Sequence, residues 1–156
     1  MICRMKRVFL GILYILLILS CEKYIDGGHA FSGIYILQGE TLIDAQDYEL
    51  TLDSKGNEVV LQIASGGEYI GVSEKKSWNM NNELTINGIT AIVDDEVSTY
   101  EYVPSGKYLK RTLYVQRLTF KASPNTSNKR RKGTFKVLAS SKFESCASYI
   151  HVTQKK

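Results

Sequence analysis

Hydrophobic and polar residues alternate through most of the chain from residue 47 onward, and a period of two is typical of half-buried β-strands. Two stretches of this kind, 48–52 and 59–63, are separated by a turn at Gly56-Asn57. The pattern therefore predicts a pair of strands at the start of the alternating region.

A tight hairpin is expected around Asn87-Gly88, because this dipeptide favours the two-residue turns that match the twist of paired strands. Such a turn would place Ile86 beside Ile89 and Leu84 beside Ala91 on one face. The turn and the apolar face agree, which supports the hairpin.

A further hairpin is predicted where the stretches 97–103 and 108–115 flank a turn of sequence Pro-Ser-Gly-Lys. Within 112–122 the apolar residues change phase, and a β-bulge near Gln116-Arg117 would reconcile the two halves.

The last two predicted strands contain 135–139 and 150–152, and no helical period of useful length occurs after residue 22. Seven or eight short strands in about 110 residues fit an immunoglobulin-like β-sandwich better than a closed barrel. We therefore expect an all-β domain that follows a cleaved helical leader.

The leader is indicated by three positive charges within residues 1–7, an apolar stretch from Val8 to Leu19, and the small residue Ser20 before Cys21. As a helix, the apolar stretch would span only about 18 Å, against the roughly 30 Å of a bilayer's hydrocarbon core. Cleavage is therefore favoured over a permanent membrane span.

The ending Ile18-Leu19-Ser20-Cys21 resembles the lipobox of bacterial lipoproteins, although Leu is usual at the position of Ile18. The resemblance implies a lipid on Cys21 and a protein held at the outer membrane or cell surface. The alternative is an ordinary secretory leader with an incidental cysteine. The expected organisation is a signal peptide over 1–20, a lipidated tether with one added strand over 21–46, and a β-sandwich over 47–156.

Charge and cysteines narrow the function once the leader is set aside. Removing its three basic residues from the chain's 20 leaves 17 against 16 acidic residues, so the net charge of the mature part is +1 rather than +4. This balance gives no reason to expect a nucleic-acid partner. Cys146 then stands alone in the domain and is expected to be a small packed residue rather than a nucleophile.

Three segments of the domain resemble the BACON family, a bacterial immunoglobulin-like domain associated with carbohydrate binding. They are 52–63 around its glycine turn with Trp78 following, 125–135 with its basic run, and the end Ile150-His-Val-Thr-Gln154. The middle, about 79–118, is longer than the usual pattern, and a second tryptophan is absent. The resemblance implies a surface-associated β-sandwich that binds carbohydrate or mucin, with a spacer role as the alternative.

No residue set suggests catalysis, a metal or a cofactor. The two histidines, His29 and His151, lack recognisable partners, and the acidic run Asp94-Asp95-Glu96 lacks the spacing of a calcium loop and is expected to be a solvated turn. The basic run 129–132 is expected at a solvated hairpin tip, with contact to anionic glycans or lipid headgroups as the alternative. We therefore expect a non-enzymatic protein.

Carbohydrate recognition needs an exposed aromatic plane with polar groups nearby. The candidate ligand-binding residues are Trp78, Tyr100, Tyr102 and Tyr108, and Tyr114 is a further aromatic side chain. Half-buried packing is the more usual role of a Tyr-x-Tyr pair such as 100–102, and Trp78 is expected in the core or at its rim. Two functions remain open: a surface-anchored module that binds a glycan or a partner protein, and a structural or interaction lipoprotein that binds no sugar.

Overall fold

Two β-sheets make up the part of the chain that the computed structural model describes, residues 33–103, 110–142 and 145–156. The ten strands found there are β1 (Ile34–Gln38), β2 (Thr41–Asp44), β3 (Tyr48–Leu52), β4 (Glu58–Ser65), β5 (Tyr69–Glu74), β6 (Glu83–Ile86), β7 (Ile89–Tyr102), β8 (Arg111–Ala122), β9 (Arg131–Ser140) and β10 (Ser145–Gln154). The larger sheet has the order β2-β1-β4-β8-β7-β6 and the smaller one β3-β10-β9-β5. All paired strands are antiparallel except β3 and β10, which are parallel.

The hydrophobic core lies between the two sheets and is built from alternate residues of the strands. Ile36 and Ile63 enter it from the larger sheet, and Val72 and Val137 enter from the smaller one. An aromatic pair joins the layers: the rings of Phe120 and Phe135 meet edge to face, with centroids 5.2 Å apart. The all-β sandwich predicted from the alternating pattern is confirmed, with two or three more strands than the expected seven or eight.

The extra strands come mainly from the segment before residue 47. Residues 34–44 form the hairpin β1–β2, and β1 pairs with β4 in the larger sheet. Ile34 and Ile36 are buried in the core. They belong to the short apolar run from which one added strand was expected, and this run alternates in phase with β4. The β-domain therefore includes these strands, and the sheet begins earlier than the boundary expected at residue 47. The expected leader and Cys21 lie outside the described residues, among which there is no helix long and apolar enough to cross a membrane.

The hairpin at Asn87-Gly88 is confirmed in its register, with Leu84 paired to Ala91 and Ile86 to Ile89. Asn87 and Gly88 have φ angles of 51° and 77°, the left-handed values that this turn requires.

The other expected pairings have different outcomes. Residues 97–102 pair with 111–116 as predicted, whereas the turn between them falls largely in 104–109, outside the described residues. The predicted strands on either side of Gly56 both form, but β3 and β4 belong to different sheets, because the chain crosses between layers there.

A bulge interrupts the pairing of β7 and β8 beside Gln116-Arg117, where one was predicted. The extra residues lie in β7, however, and not in β8. Val93 pairs with Leu118 and Val97 with Gln116, so the three residues of Asp94-Asp95-Glu96 lie opposite Arg117 alone. Arg117 Nη2 lies 2.5 Å from Asp94 Oδ2 and 3.5 Å from Glu96 Oε2. The acidic run is therefore a bulge paired to an arginine, and the solvated turn expected for it is wrong.

Strand β8 itself keeps an unbroken register with β4. Its apolar phase changes because both of its faces are buried in part. Leu118 and Phe120 face the core, whereas Leu113 and Val115 lie on the outer face of the larger sheet in a second apolar cluster. Burial on both faces, rather than a bulge in this strand, explains the pattern.

One end of the sandwich is held together by the side chain of Gln154, which is fully buried. Its Nε2 donates to the carbonyl oxygens of Asp53 at 3.1 Å and Ser123 at 2.8 Å, and its Oε1 accepts from Arg131 Nη1 at 3.2 Å. Asp53 and Ser123 belong to two of the five connections between described strands in which the chain passes from one sheet to the other, β3 to β4 and β8 to β9. The basic run 129–132 therefore lies at a crossing between sheets rather than at a hairpin tip.

Replacing Gln154 with Ala should lower the free energy of unfolding by about 2–3 kcal/mol, because a fully buried side chain and its three hydrogen bonds to Asp53, Ser123 and Arg131 are lost. Urea unfolding followed by circular dichroism measures this. The neighbouring change Thr153→Ala, on the outer face of the same strand, should cost less than about 1 kcal/mol. Equal losses in the two variants would contradict a special role for the glutamine.

Replacing Arg117 with Gln should raise the pKa of the Asp94 carboxyl, which is held below its ordinary value by the Glu96 backbone N–H and then by the guanidinium. The pKa should stay below the ordinary value, since the N–H remains. A carboxyl whose pKa is lower in the folded than in the unfolded state stabilises the fold at pH values above its unfolded-state pKa. This contribution is lost as the pH falls through the folded-state pKa. Carbon-13 NMR titration measures the shift. Lys121→Gln, on the same face of β8, removes the same charge and should leave the pKa of Asp94 nearly unchanged.

Candidate ligand-binding surface

The loop of residues 75–82 closes one open edge of the sandwich by bonding to both sheets. Asn81 and Val72 exchange backbone hydrogen bonds of 2.8 and 3.0 Å, which adds the loop to the edge of β5. One residue later, the carbonyl oxygen of Asn82 accepts from the N–H of Val93 at 2.7 Å, in the larger sheet. The second half of the loop is therefore fixed to both sheets by backbone bonds.

The first half of the loop lies over Lys136, in the middle of β9 on the outer face of the smaller sheet. This lysine is only 2% exposed. Its Nζ donates to the carbonyl oxygen of Ser77 at 2.6 Å and lies 4.3 Å from the centroid of the Trp78 ring. An ammonium at this distance is attracted to the indole face. The contact holds the tryptophan in place from below.

Trp78 itself is 63% exposed, so the indole covers the lysine with one face and presents the other to solvent. The expectation of a core position for this residue is therefore wrong, because the ring lies on the outer face of the smaller sheet. A large aromatic ring held by a bonded loop and left open on one side has the form of a stacking platform.

Two more exposed apolar side chains continue this platform along β5. Met80 lies directly over Gly71, where an added Cβ would come within 3.0 Å of the methionine Cβ, and Tyr69 is two residues before that glycine on the same face. Tyr69 is 66% exposed and Met80 40%. We define Tyr69, Trp78 and Met80 as the Trp78 surface. They are three of the six exposed large hydrophobic side chains among the described residues.

A polar pair is covered by the same loop. Ser73 is the cross-strand partner of Lys136, and both are buried on the outer face of the smaller sheet. The Ser73 hydroxyl has no hydrogen-bond partner within the described part of the chain. Buried hydroxyls are usually bonded, so an unbonded one beside a buried ammonium marks this position as unusual.

The tyrosines predicted with Trp78 lie on the opposite side of the molecule. The rings of Tyr100 and Tyr102 stack with centroids 6.5 Å apart and pack against the second apolar cluster on the outer face of the larger sheet. The Tyr100 hydroxyl donates to the carbonyl oxygen of Glu40 at 2.9 Å, and partial burial raises the pKa of Tyr102. The expected half-buried packing is confirmed, and these rings do not join the Trp78 surface. Tyr108 lies outside the described residues.

Two further pairs of titratable side chains form hydrogen bonds at the surface, His151 with Asp47 and Tyr114 with Glu68. His151 lies on the outer face of β10, where Nδ1 is 3.1 Å from Thr134 Oγ1 and Nε2 is 3.3 Å from Asp47 Oδ1. Hydrogen bonds from Gln46 and then from His151 lower the pKa of Asp47. Tyr114 donates to Glu68 at 3.2 Å, and this bond raises the pKa of Tyr114. Residues 33–103, 110–142 and 145–156 contain no group of three or more metal-ligating side chains.

Lys136 and Ser73 are residues that sequence reasoning missed. A usable signal was present, since the run Phe135-Lys-Val-Leu-Ala139 is apolar at consecutive positions apart from the lysine. Such a run is typical of a strand buried on both faces. A lysine within it must therefore be covered by another part of the chain.

Comparison with known proteins gives a likeness among solved structures. No protein-family model matches the chain, and no curated protein matches it. Among solved structures, the chain is similar to the G168D mutant of CfaE, the CFA/I adhesin of enterotoxigenic E. coli, with 10% sequence identity and a TM-score of 0.46. The match covers 80% of this chain and 48% of the adhesin chain, so it spans about half of the adhesin's length.

Proposed function

We propose that this protein is a lipid-anchored, non-catalytic binding protein whose β-sandwich binds a glycan through the Trp78 surface. The observation that carries the proposal is the exposed indole of Trp78, which is fixed from below by the Lys136 ammonium. A ring that is already held in place loses little conformational freedom when a ligand stacks on it.

The surroundings of the ring suit a sugar. The apolar C–H face of a pyranose can stack on the indole, while hydroxyl groups need polar partners around the ring. Lys75, Lys76 and Asn79 are exposed next to Trp78 and can supply such partners. The combination of one aromatic plane with several exposed polar side chains supports glycan binding over the uptake of an apolar ligand.

A protein partner is the second candidate, favoured by one observation. Met80 and Tyr69 extend the exposed apolar area beyond a single ring, and Met and Tyr are enriched at the centres of protein interfaces. In this reading the chain is an interaction lipoprotein, or a spacer, that binds no sugar.

Membrane attachment through Cys21 remains a proposal that rests on the leader sequence. Because β1 begins at Ile34, the tether would be residues 22–33, shorter than the 21–46 expected from the sequence. Twelve residues span at most about 40 Å when fully extended. The binding domain would therefore stay close to the lipid surface.

Replacing Trp78 with Ala should weaken glycan binding about tenfold or more, because the stacking platform is lost. A glycan array with the domain that begins after Cys21 identifies the ligand, and calorimetry measures the affinity. Val97→Ala removes an exposed apolar group from the other sheet and should leave the affinity unchanged. An array that stays silent for neutral and acidic glycans would exclude the sugar-binding version, and co-purification of a stable complex that requires Trp78 would favour the protein partner.

Replacing Cys21 with Ala should move the full-length chain from the membrane fraction to the soluble fraction of an expressing bacterium, since the lipid acceptor is lost. Incorporation of a labelled fatty acid should disappear together with membrane retention. Cys3→Ala, within the expected leader, is the matched control and should change neither. Retention of label in the Cys21 variant would contradict the proposed anchor.

A further inference from the structure

We infer that the Trp78 surface selects acidic glycans, those that carry a carboxylate or sulfate group, and that Lys136 determines this selection. The inference rests on the proposed glycan binding and adds the chemical class of the ligand. Its basis is the pair of polar groups that the loop of residues 75–82 covers.

Lys136 is a buried cation without a carboxylate partner in the described residues. Buried lysines are normally paired, because an uncompensated charge in a protein interior is costly. An ammonium has three N–H donors, and the structure offers two partners, the Ser77 carbonyl oxygen and the indole face. Both partners are neutral. A ligand carboxylate or sulfate would bind the ammonium more strongly than either, because charge-assisted hydrogen bonds are about twice as strong as neutral ones.

The hydroxyl of Ser73 provides a second, independent indication. It is fully buried, lies directly across the strand pair from Lys136, and has no hydrogen-bond partner among the residues described. An anionic oxygen that reached the ammonium would also be placed to accept from this hydroxyl. One ligand group would thus satisfy both of the polar groups that the loop leaves incompletely bonded.

The loop can admit such a group without losing its attachment to the sheets. Ser77 is held by local bonds, from its N–H to the Glu74 carbonyl oxygen at 3.0 Å and from the Asn79 N–H to its Oγ at 3.1 Å. The backbone bonds to β5 and β7 come later, at Asn81 and Asn82. A small shift of the turn around residues 75–77 would therefore open a path to the remaining N–H of Lys136, while the indole of Trp78 and the second half of the loop stay in place.

The net charge around Lys136 is positive, which is the sign that an anionic ligand requires. Lys75 and Lys76 are exposed at the start of the loop, and with Lys136 they make three positive charges. The negative charges nearby are those of Glu74 and of Asp47, whose pKa is lowered by Gln46 and His151 and in part by Lys75. The mature chain as a whole is close to neutral, so this excess is local. It would attract an anionic ligand and repel a cationic one.

The test measures binding of two matched pairs: oligogalacturonate with its fully methyl-esterified form, and a sulfated galactan oligosaccharide with its desulfated form. The domain that begins after Cys21 is used, and Trp78, the single tryptophan of the chain, reports binding at this surface by its fluorescence. At low salt, at least one acidic form should bind about tenfold more tightly than its neutral counterpart, and added salt should reduce the difference.

Lys136→Met should abolish the preference while it keeps the fold, because Met fills the same length of buried space and removes the costly charge. Lys132→Met is the matched control: it lies on the same face of β9 about 13 Å away, is exposed, and should retain the preference. Ser73→Ala should leave the unfolding midpoint unchanged or raised, since the lost hydroxyl has no partner, yet weaken the acidic ligand several-fold. Thermal unfolding of each variant verifies the fold.

The outcomes separate this inference from the proposed function. Equal binding of acidic and neutral forms, with loss of both in Trp78→Ala, would overturn the acidic selection and leave glycan binding intact. Retention of the acidic preference in a folded Lys136→Met variant would also overturn it. Binding of none of the four oligosaccharides, together with a silent glycan array, would overturn both.

Discussion

Burial of both faces of two central strands, β8 and β9, is the constraint on which the rest of the structure depends. In a two-layer sandwich the outer faces normally meet water, and the strands show a simple alternation. Here Leu113 and Val115 are buried on the outside of β8, and Lys136 and Leu138 on the outside of β9. Each outer face therefore requires a cover. Tyrosine side chains pack on the larger sheet and the loop of residues 75–82 covers the smaller one, which explains why the tyrosines are half-buried and the tryptophan is exposed.

Local signals in the sequence predicted local structure well. The register at Asn87-Gly88 followed from the chemistry of one turn and the phase of its flanking residues, both contained within a few positions. The two sheets could not be assigned in this way, because the strands before and after Gly56 alternate equally well whether they pair or cross between layers. The parallel contact of β3 with β10 joins residues about a hundred positions apart, and alternation carries no information about it.

The candidate site could be predicted only in part, because its residues are brought together by contacts between distant parts of the chain. The requirement for an aromatic plane selected Trp78, yet it selected the tyrosines of β7 equally, and only the fold separates them onto opposite faces. Lys136 escaped notice because a lysine at a polar phase of a strand ordinarily points to water. Its burial is produced by a loop about 60 positions earlier in the chain, a non-local contact. Likewise, Gln154 links two of the connections that cross between the sheets. This structural role accounts for a polar residue at the end of an apolar strand, and no role in ligand binding is needed to explain it.

The position of β10 has a consequence for the order in which the chain folds. This last strand lies between β3 and β9, so the smaller sheet has no complete interior until the final ten or so residues are present. Pairings between distant segments close slowly, because the entropy of a long loop must be lost before the contacts form. A partly synthesised chain would therefore have no stable sandwich to resist unfolding. Such late completion suits a chain that is threaded through a membrane channel before it folds, as the proposed anchor on Cys21 would require.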